Sequence, residues 1–189
     1  MLSKLPNKTT GFTLVEVIVS MSIFAVAVTM VMVGLLSVLD SSKQARAQAD
    51  AVDNLNFVVD DMIRRIRTGY AFNCAGMGDC PAGADRFSFT SSEVDNDVGS
   101  NPRVTYELGT TLDGNGQIQR TISTDGNTVP MTSPDINVTN LTFYTVGTRT
   151  GDNEQSRVMI LIEAEAGAGD LLETFSLQTT VTQRLLFNP

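Results

Sequence analysis

The chain contains no histidine and no tryptophan, and only two cysteines among its 189 residues. Without histidine there is no Ser-His or Cys-His pair to activate a nucleophile, and no imidazole to help complete a zinc site. No Gly-rich phosphate loop follows a strand pattern either, so the residues mark no enzyme. Positive charge is scarce: 13 Lys and Arg stand against 21 Asp and Glu, a formal net charge of −8. Most of the acids lie beyond residue 40. That part of the chain repels polyanions, and direct contact with nucleic acid is not expected. The most telling absence is local. From Val17 to Leu39 there is no charge of either sign, and an uncharged run of roughly 20 residues or more is long enough to span a bilayer as a helix.

What precedes that run sets its direction. The first residues carry Lys4 and Lys8 and no acid, and a cationic flank stays on the cytoplasmic side by the positive-inside rule. Between flank and run stands Gly11-Phe12-Thr13-Leu14-Val15-Glu16. Glu16 places a carboxylate inside the apolar segment, where an ionisable group at mid-membrane costs on the order of 2.5–3.5 kcal/mol on insertion scales. Something must neutralise it. If a peptidase at the cytoplasmic face cut after Gly11, the mature chain would begin with the α-amine of Phe12, and Glu16 would be its fifth residue. A neighbouring subunit's amine could then pair with that carboxylate in lipid.

In this register Gly11, Phe12 and Glu16 resemble the type IV filament superfamily, the prepilins and pseudopilins. The resemblance covers about the first 40 residues. It implies that a dedicated prepilin peptidase cleaves between Gly11 and Phe12 and methylates the new Phe12 amine, and that Glu16 serves assembly. Two plainer readings use the same hydropathy. A secretory signal has an apolar core of about 7–15 residues with its small-residue cleavage site after the core, whereas the well-placed small residue here, Gly11, lies before it. A simple single-pass anchor, with Glu16 snorkelling to the headgroups, leaves the Gly-Phe register to chance.

The helix is expected to continue past the membrane. Leu35 to Thr68 contains no Gly or Pro, and Val52, Leu55, Val59, Met62 and Ile66 recur in steps of three and four, one face of an amphipathic helix. From Phe12 to Thr68 such a helix would be on the order of 80 Å long. Gly69 is its expected stop signal. Gly34 is the only helix-weakening residue in the membrane half, placed for a kink or for close helix packing. Ser20, Ser22, Thr29 and Ser37 can bond their own helix.

Beyond the helix, roughly 120–150 residues suffice for one globular domain. Cys74 and Cys80 fall in a Gly- and Ala-rich stretch read as a loop. Outside the cytoplasmic membrane they are expected to form a local disulfide, contributing about 2–2.5 kcal/mol by the chain-entropy model. The pattern then changes to period two: Arg86 to Thr90, Val104 to Leu108 and Ile118 to Ile122, the last two separated by the turn-rich Asp113-Gly114-Asn115-Gly116, as in a β-hairpin. Further strands are expected over Val138 to Tyr144, Val158 to Glu163 and Glu173 to Thr182, with a turn at Gly167-Ala168-Gly169-Asp170. The expected fold is α+β and pilin-like, a long N-terminal helix packed on an antiparallel β-sheet head. The expected organisation is a leader over 1–11, a membrane and filament-core helix over 12–39, its amphipathic continuation over 40–68 and a β-rich extracytoplasmic head over 69–189.

The strand layout, with its C-terminal Thr179-Thr180-Val181-Thr182-Gln183-Arg184, resembles the J-type minor pseudopilins of type II secretion and the W-type minor pilins of type IV pili. The resemblance implies a minor subunit of a bacterial filament machine. Its partners would be the prepilin peptidase, the major and other minor pilins, and an inner-membrane platform with a cytoplasmic ATPase. It implies a single-pass inner-membrane protein with a cytoplasmic N-terminus. A DNA-uptake pseudopilus subunit and a membrane-tethered binding or adhesion module share the same N-terminal features. No cofactor is expected. Some pseudopilins use calcium, and Glu93-Val94-Asp95-Asn96-Asp97 alternates oxygen ligands, but it lacks the full loop pattern with a late bidentate Glu. Asp95 and Asp97 are read by default as solvated turn acids.

Overall fold

The computed structural model describes residues 11–76, 78–94, 99–148, 154–168 and 171–184. One helix, α1 (Leu14–Thr68), runs without interruption through Gly34. It is shared between two compact units, one ending at Lys43 and one beginning at Gln44. In the first unit the apolar side chains are exposed around the whole helix, from Leu14 and Val15 to Val38 and Leu39. A helix apolar on all sides suits lipid or a bundle of partners rather than water.

In the second unit α1 buries one face, made of Ala51, Leu55, Val58, Val59, Met62 and Ile66. Steps of three and four put these on one stripe, and each fully buried Leu, Val, Ile or Met contributes about 1.5–3 kcal/mol relative to exposure. Val52, which the spacing places on the stripe, is only half-buried, and Ala51 and Val58 take the inner positions.

The remaining elements are nine strands: β1 (Tyr70–Cys74), β2 (Cys80–Ala84), β3 (Arg86–Thr90), β4 (Arg103–Thr110), β5 (Gly116–Ile122), β6 (Thr128–Pro130), β7 (Asn137–Val146), β8 (Arg157–Ala168) and β9 (Leu171–Thr182). They form two antiparallel sheets rather than one, ordered β1-β3-β4-β5-β6 and β2-β7-β8-β9. The six strands expected from period-two alternation are all present. The stretch read as a cysteine loop does turn between its two cysteines, but its ends belong to two short strands that were not expected: Cys74 ends β1 and Cys80 begins β2. Their composition hid them, since Cys-Pro-Ala-Gly-Ala carries no alternating apolar pattern. Strand β6, three exposed residues, was invisible for the same reason. Gly167 and Ala168, read as part of the last turn, belong to β8; residues 169–170 lie outside the described ones.

The two sheets meet over aromatic side chains. Phe87 of β3 stacks on Phe143 of β7 with centroids 5.4 Å apart, and Phe72, Phe89 and Tyr106 extend the cluster. Such pairs add about 0.5–1.5 kcal/mol beyond their buried area. At Gly116 the backbone of β5 comes so close to the Val138 carbonyl that no Cβ fits, and its N–H donates to Asn137 Oδ1 at 2.8 Å. Gly69 follows the helix as expected, for a different reason: it has no left-handed φ, but the ring of Phe89 occupies the space a Cβ would need.

Candidate functional site

At the N-terminal end of α1, Thr13 caps the helix. Its Oγ1 accepts a hydrogen bond from the Glu16 N–H at 3.3 Å, and its carbonyl accepts from Val17 N at 3.2 Å. Thr-x-x-Glu is a helix-start signature, and the cap sets the first helical residue at Leu14, two residues after Phe12. Gly11 and Phe12 precede the helix and are exposed, Phe12 by 80%. A peptidase needs extended, accessible backbone, and here the Gly11-Phe12 bond is outside the helical ladder. Glu16 is exposed, and its carboxylate has no hydrogen bond or ion pair among the described residues. Ser20 Oγ donates to the Glu16 carbonyl at 2.6 Å, Ser22 Oγ to that of Ile18 at 2.8 Å, and Thr29 Oγ1 to that of Val26 at 2.8 Å. These three hydroxyls are satisfied within the helix, whereas the Glu16 carboxylate has no partner among the described residues.

In the second unit Cys74 and Cys80 are joined in a disulfide. Because β1 and β2 belong to different sheets, the bond links the two sheets covalently. Buried Thr145 supports it: its Oγ1 accepts from Cys80 N at 3.0 Å and donates to the Gly78 carbonyl at 2.8 Å.

A third constellation was not read from the sequence. Asp61, on the buried face of α1, accepts hydrogen bonds from Arg65 Nε at 3.0 and 3.1 Å, from Arg64 Nη2 at 3.1 Å and from Arg120 Nη1 of β5 at 3.0 Å. Burial pushes the Asp61 carboxyl up, but the guanidinium of Arg65, with those of Arg64 and Arg120, outweighs it and holds the pKa below the ordinary value. Tyr106, the cross-strand partner of Arg120, is fully buried beside this cluster, and burial together with the Asp61 charge pushes its phenol well up. Tyr106 Oη and Arg120 Nε have no hydrogen-bond partner among the described residues. The signal for half of this was present, since Asp61-x-x-Arg64-Arg65 has the i,i+3 and i,i+4 spacing of helical ion pairs. Arg120 lies 59 residues away from Asp61 in sequence and only folding brings it there. Asp95 and Asp97, the residues considered for calcium, lie outside the described residues.

Residues 6–32 match the family described as the prokaryotic N-terminal methylation motif. The chain carries that motif. The N-terminal methylation motif spans Gly11, Phe12 and Glu16 and the apolar run as far as Met32, and α1 is a helix long and apolar enough to cross a membrane. Comparison with curated proteins and with solved structures returned no match. The motif and the architecture of one long helix followed by antiparallel sheets support a pilin-like protein anchored by a single membrane pass.

Proposed function

We propose that the chain is a minor subunit of a type IV filament machine, either a type II secretion pseudopilus or a type IV pilus, and acts as a structural part rather than as an enzyme. A prepilin peptidase cuts between Gly11 and Phe12 and methylates the Phe12 amine. The processed subunit waits in the inner membrane with its head outside, and Glu16 of an incoming subunit pairs with the Phe12 amine of a neighbour as the filament grows. The major pilin, other minor pilins and a platform driven by a cytoplasmic ATPase are its partners.

The observation that carries this reading is the Glu16 carboxylate, without a partner among the described residues, on an otherwise apolar, exposed helix, in register with Gly11 and Phe12 inside the methylation motif. A lone carboxylate in lipid is costly, and a neighbour's amine offsets that cost only when subunits assemble. Intact mass and N-terminal sequence of the protein from its native membrane test the first step. A chain beginning at Phe12 is expected, and Gly11→Val should retain the leader. A chain beginning at Met1 would overturn the reading.

A further inference from the structure

The buried stripe of α1 in the second unit has an exposed counterpart on the opposite side of the same helix. Arg46, Asp50, Asp53, Phe57, Asp60, Arg64 and Arg67 are all exposed, and alternating steps of four and three set them in one line. Among the described residues Arg46, Asp50, Asp53, Asp60 and Arg67 make no ion pair. Arg64 bonds Asp61, which is off the line, and its side chain stays 78% exposed. In the middle of the line the ring of Phe57 is 72% exposed.

The charges on this line are banded. One base is followed by two acids, the aromatic ring, one acid and then two bases. Two parallel copies laid in register put like bands together and repel. Sliding one copy by 14 residues, about 21 Å of helix, keeps the lines facing because the shift is two whole heptads. Arg46 then meets Asp60, Asp50 meets Arg64 and Asp53 meets Arg67 of the second copy, with no like pair along the line. A slide of seven residues joins Arg46 to Asp53 and Asp60 to Arg67 but sets Asp53 against Asp60.

We infer that this face of α1 is a contact between copies of this chain, packed parallel and offset by two heptads. Single exposed ion pairs are weak, so the bands fix the register of the contact more than its affinity. The contact is heterologous: each copy offers Arg46, Asp50 and Asp53 to one neighbour and Asp60, Arg64 and Arg67 to another, so it repeats in an open row. An antiparallel pair also matches Asp50 with Arg67 and Asp53 with Arg64, but it is isologous and closes on two copies. The self-complementary line stands on the helix alone; the parallel direction rests on the filament reading, which needs a contact that continues.

Cross-linking tests it. Two differently tagged forms of the full chain, one with Arg46→Cys and one with Asp60→Cys, are reconstituted in liposomes as the sole protein and treated with a short bis-maleimide, which spares the bonded Cys74 and Cys80. The 46-to-60 product is expected to exceed the 60-to-60 product by about fivefold or more, and salt at about 1 M should remove the excess by screening. Adding Asp53→Arg to the first form should abolish the excess, and adding Arg67→Asp to the second should restore it; both side chains are exposed, and an unchanged melting temperature checks that the fold is kept. Equal yields of the two products, or an excess that ignores salt and the charge reversals, overturn the contact. A dominant 60-to-60 product overturns the offset, since an in-register or antiparallel pair brings those positions together. A chain that begins at Phe12 without the 46-to-60 excess defeats this contact alone; one that begins at Met1 with it defeats the filament reading alone.

Discussion

Asp61 and Glu16 are both carboxylates in apolar surroundings, and their environments give them opposite roles. Asp61 is enclosed by three guanidinium groups and held charged, so it fixes the helix against β5 inside one chain. Removing it leaves Arg120, 16% exposed, buried beside nothing negative, and Asp61→Ala should destabilise by about 3–5 kcal/mol in urea unfolding of the full chain. Arg64→Ala should stay within about 1 kcal/mol, because that side chain is 78% exposed and its pairing is screened. Glu16 has no side-chain partner among the described residues. Glu16→Ala should therefore leave cleavage after Gly11 intact while lowering incorporation into filaments; normal recruitment of this variant would defeat the pairing. The position of Glu16 as a lone charge in an apolar helix was legible in the sequence, because a charge inside an uncharged run has a definite cost wherever the chain folds. Half of the Asp61 cluster was legible from local spacing, and the other half depended on where β5 lands.

Among the elements, those with strong periodicity were readable and those without it were not. The helix and the six alternating strands follow from burial of one face each, a property of neighbouring residues. Strands β1, β2 and β6 owe their extended form to the partner they lie against, and no pattern in their own residues announces it. The disulfide takes its importance from this. Read as a closure of a small loop, it constrains only the unfolded chain; as a link between β1 and β2 it also joins two sheets. Replacing both Cys74 and Cys80 by Ser should lower stability by about 2 kcal/mol or more, measured as a fall in the denaturant midpoint. At the end of α1, Gly69→Ala drives a methyl into the Phe89 ring, and should cost about 1–3 kcal/mol as overpacking does. A loss-free Gly69→Ala would mean that the helix end has room to shift.

Across the whole molecule, two groups tie stability to pH from opposite sides. The folded pKa of Asp61 is lowered, so its contribution is complete above the unfolded value of about 4 and is lost as pH falls through the lower folded value. That of Tyr106 is raised, so the neutral phenol's contribution is complete below about 10 and is lost as pH rises beyond it. Melting of the full chain followed across pH should show a broad plateau with losses on both flanks, and Asp61→Asn should remove most of the acid-side dependence. By itself the sequence determined the long apolar helix, the methylation motif around Gly11, Phe12 and Glu16 and the α+β class, because these rest on hydropathy, local charge and short-range period. Only the tertiary structure decided that the strands divide into two sheets, that the disulfide spans them and that Arg120 meets Asp61. Those depend on which distant strands pair, and pairing is settled by packing the whole core at once.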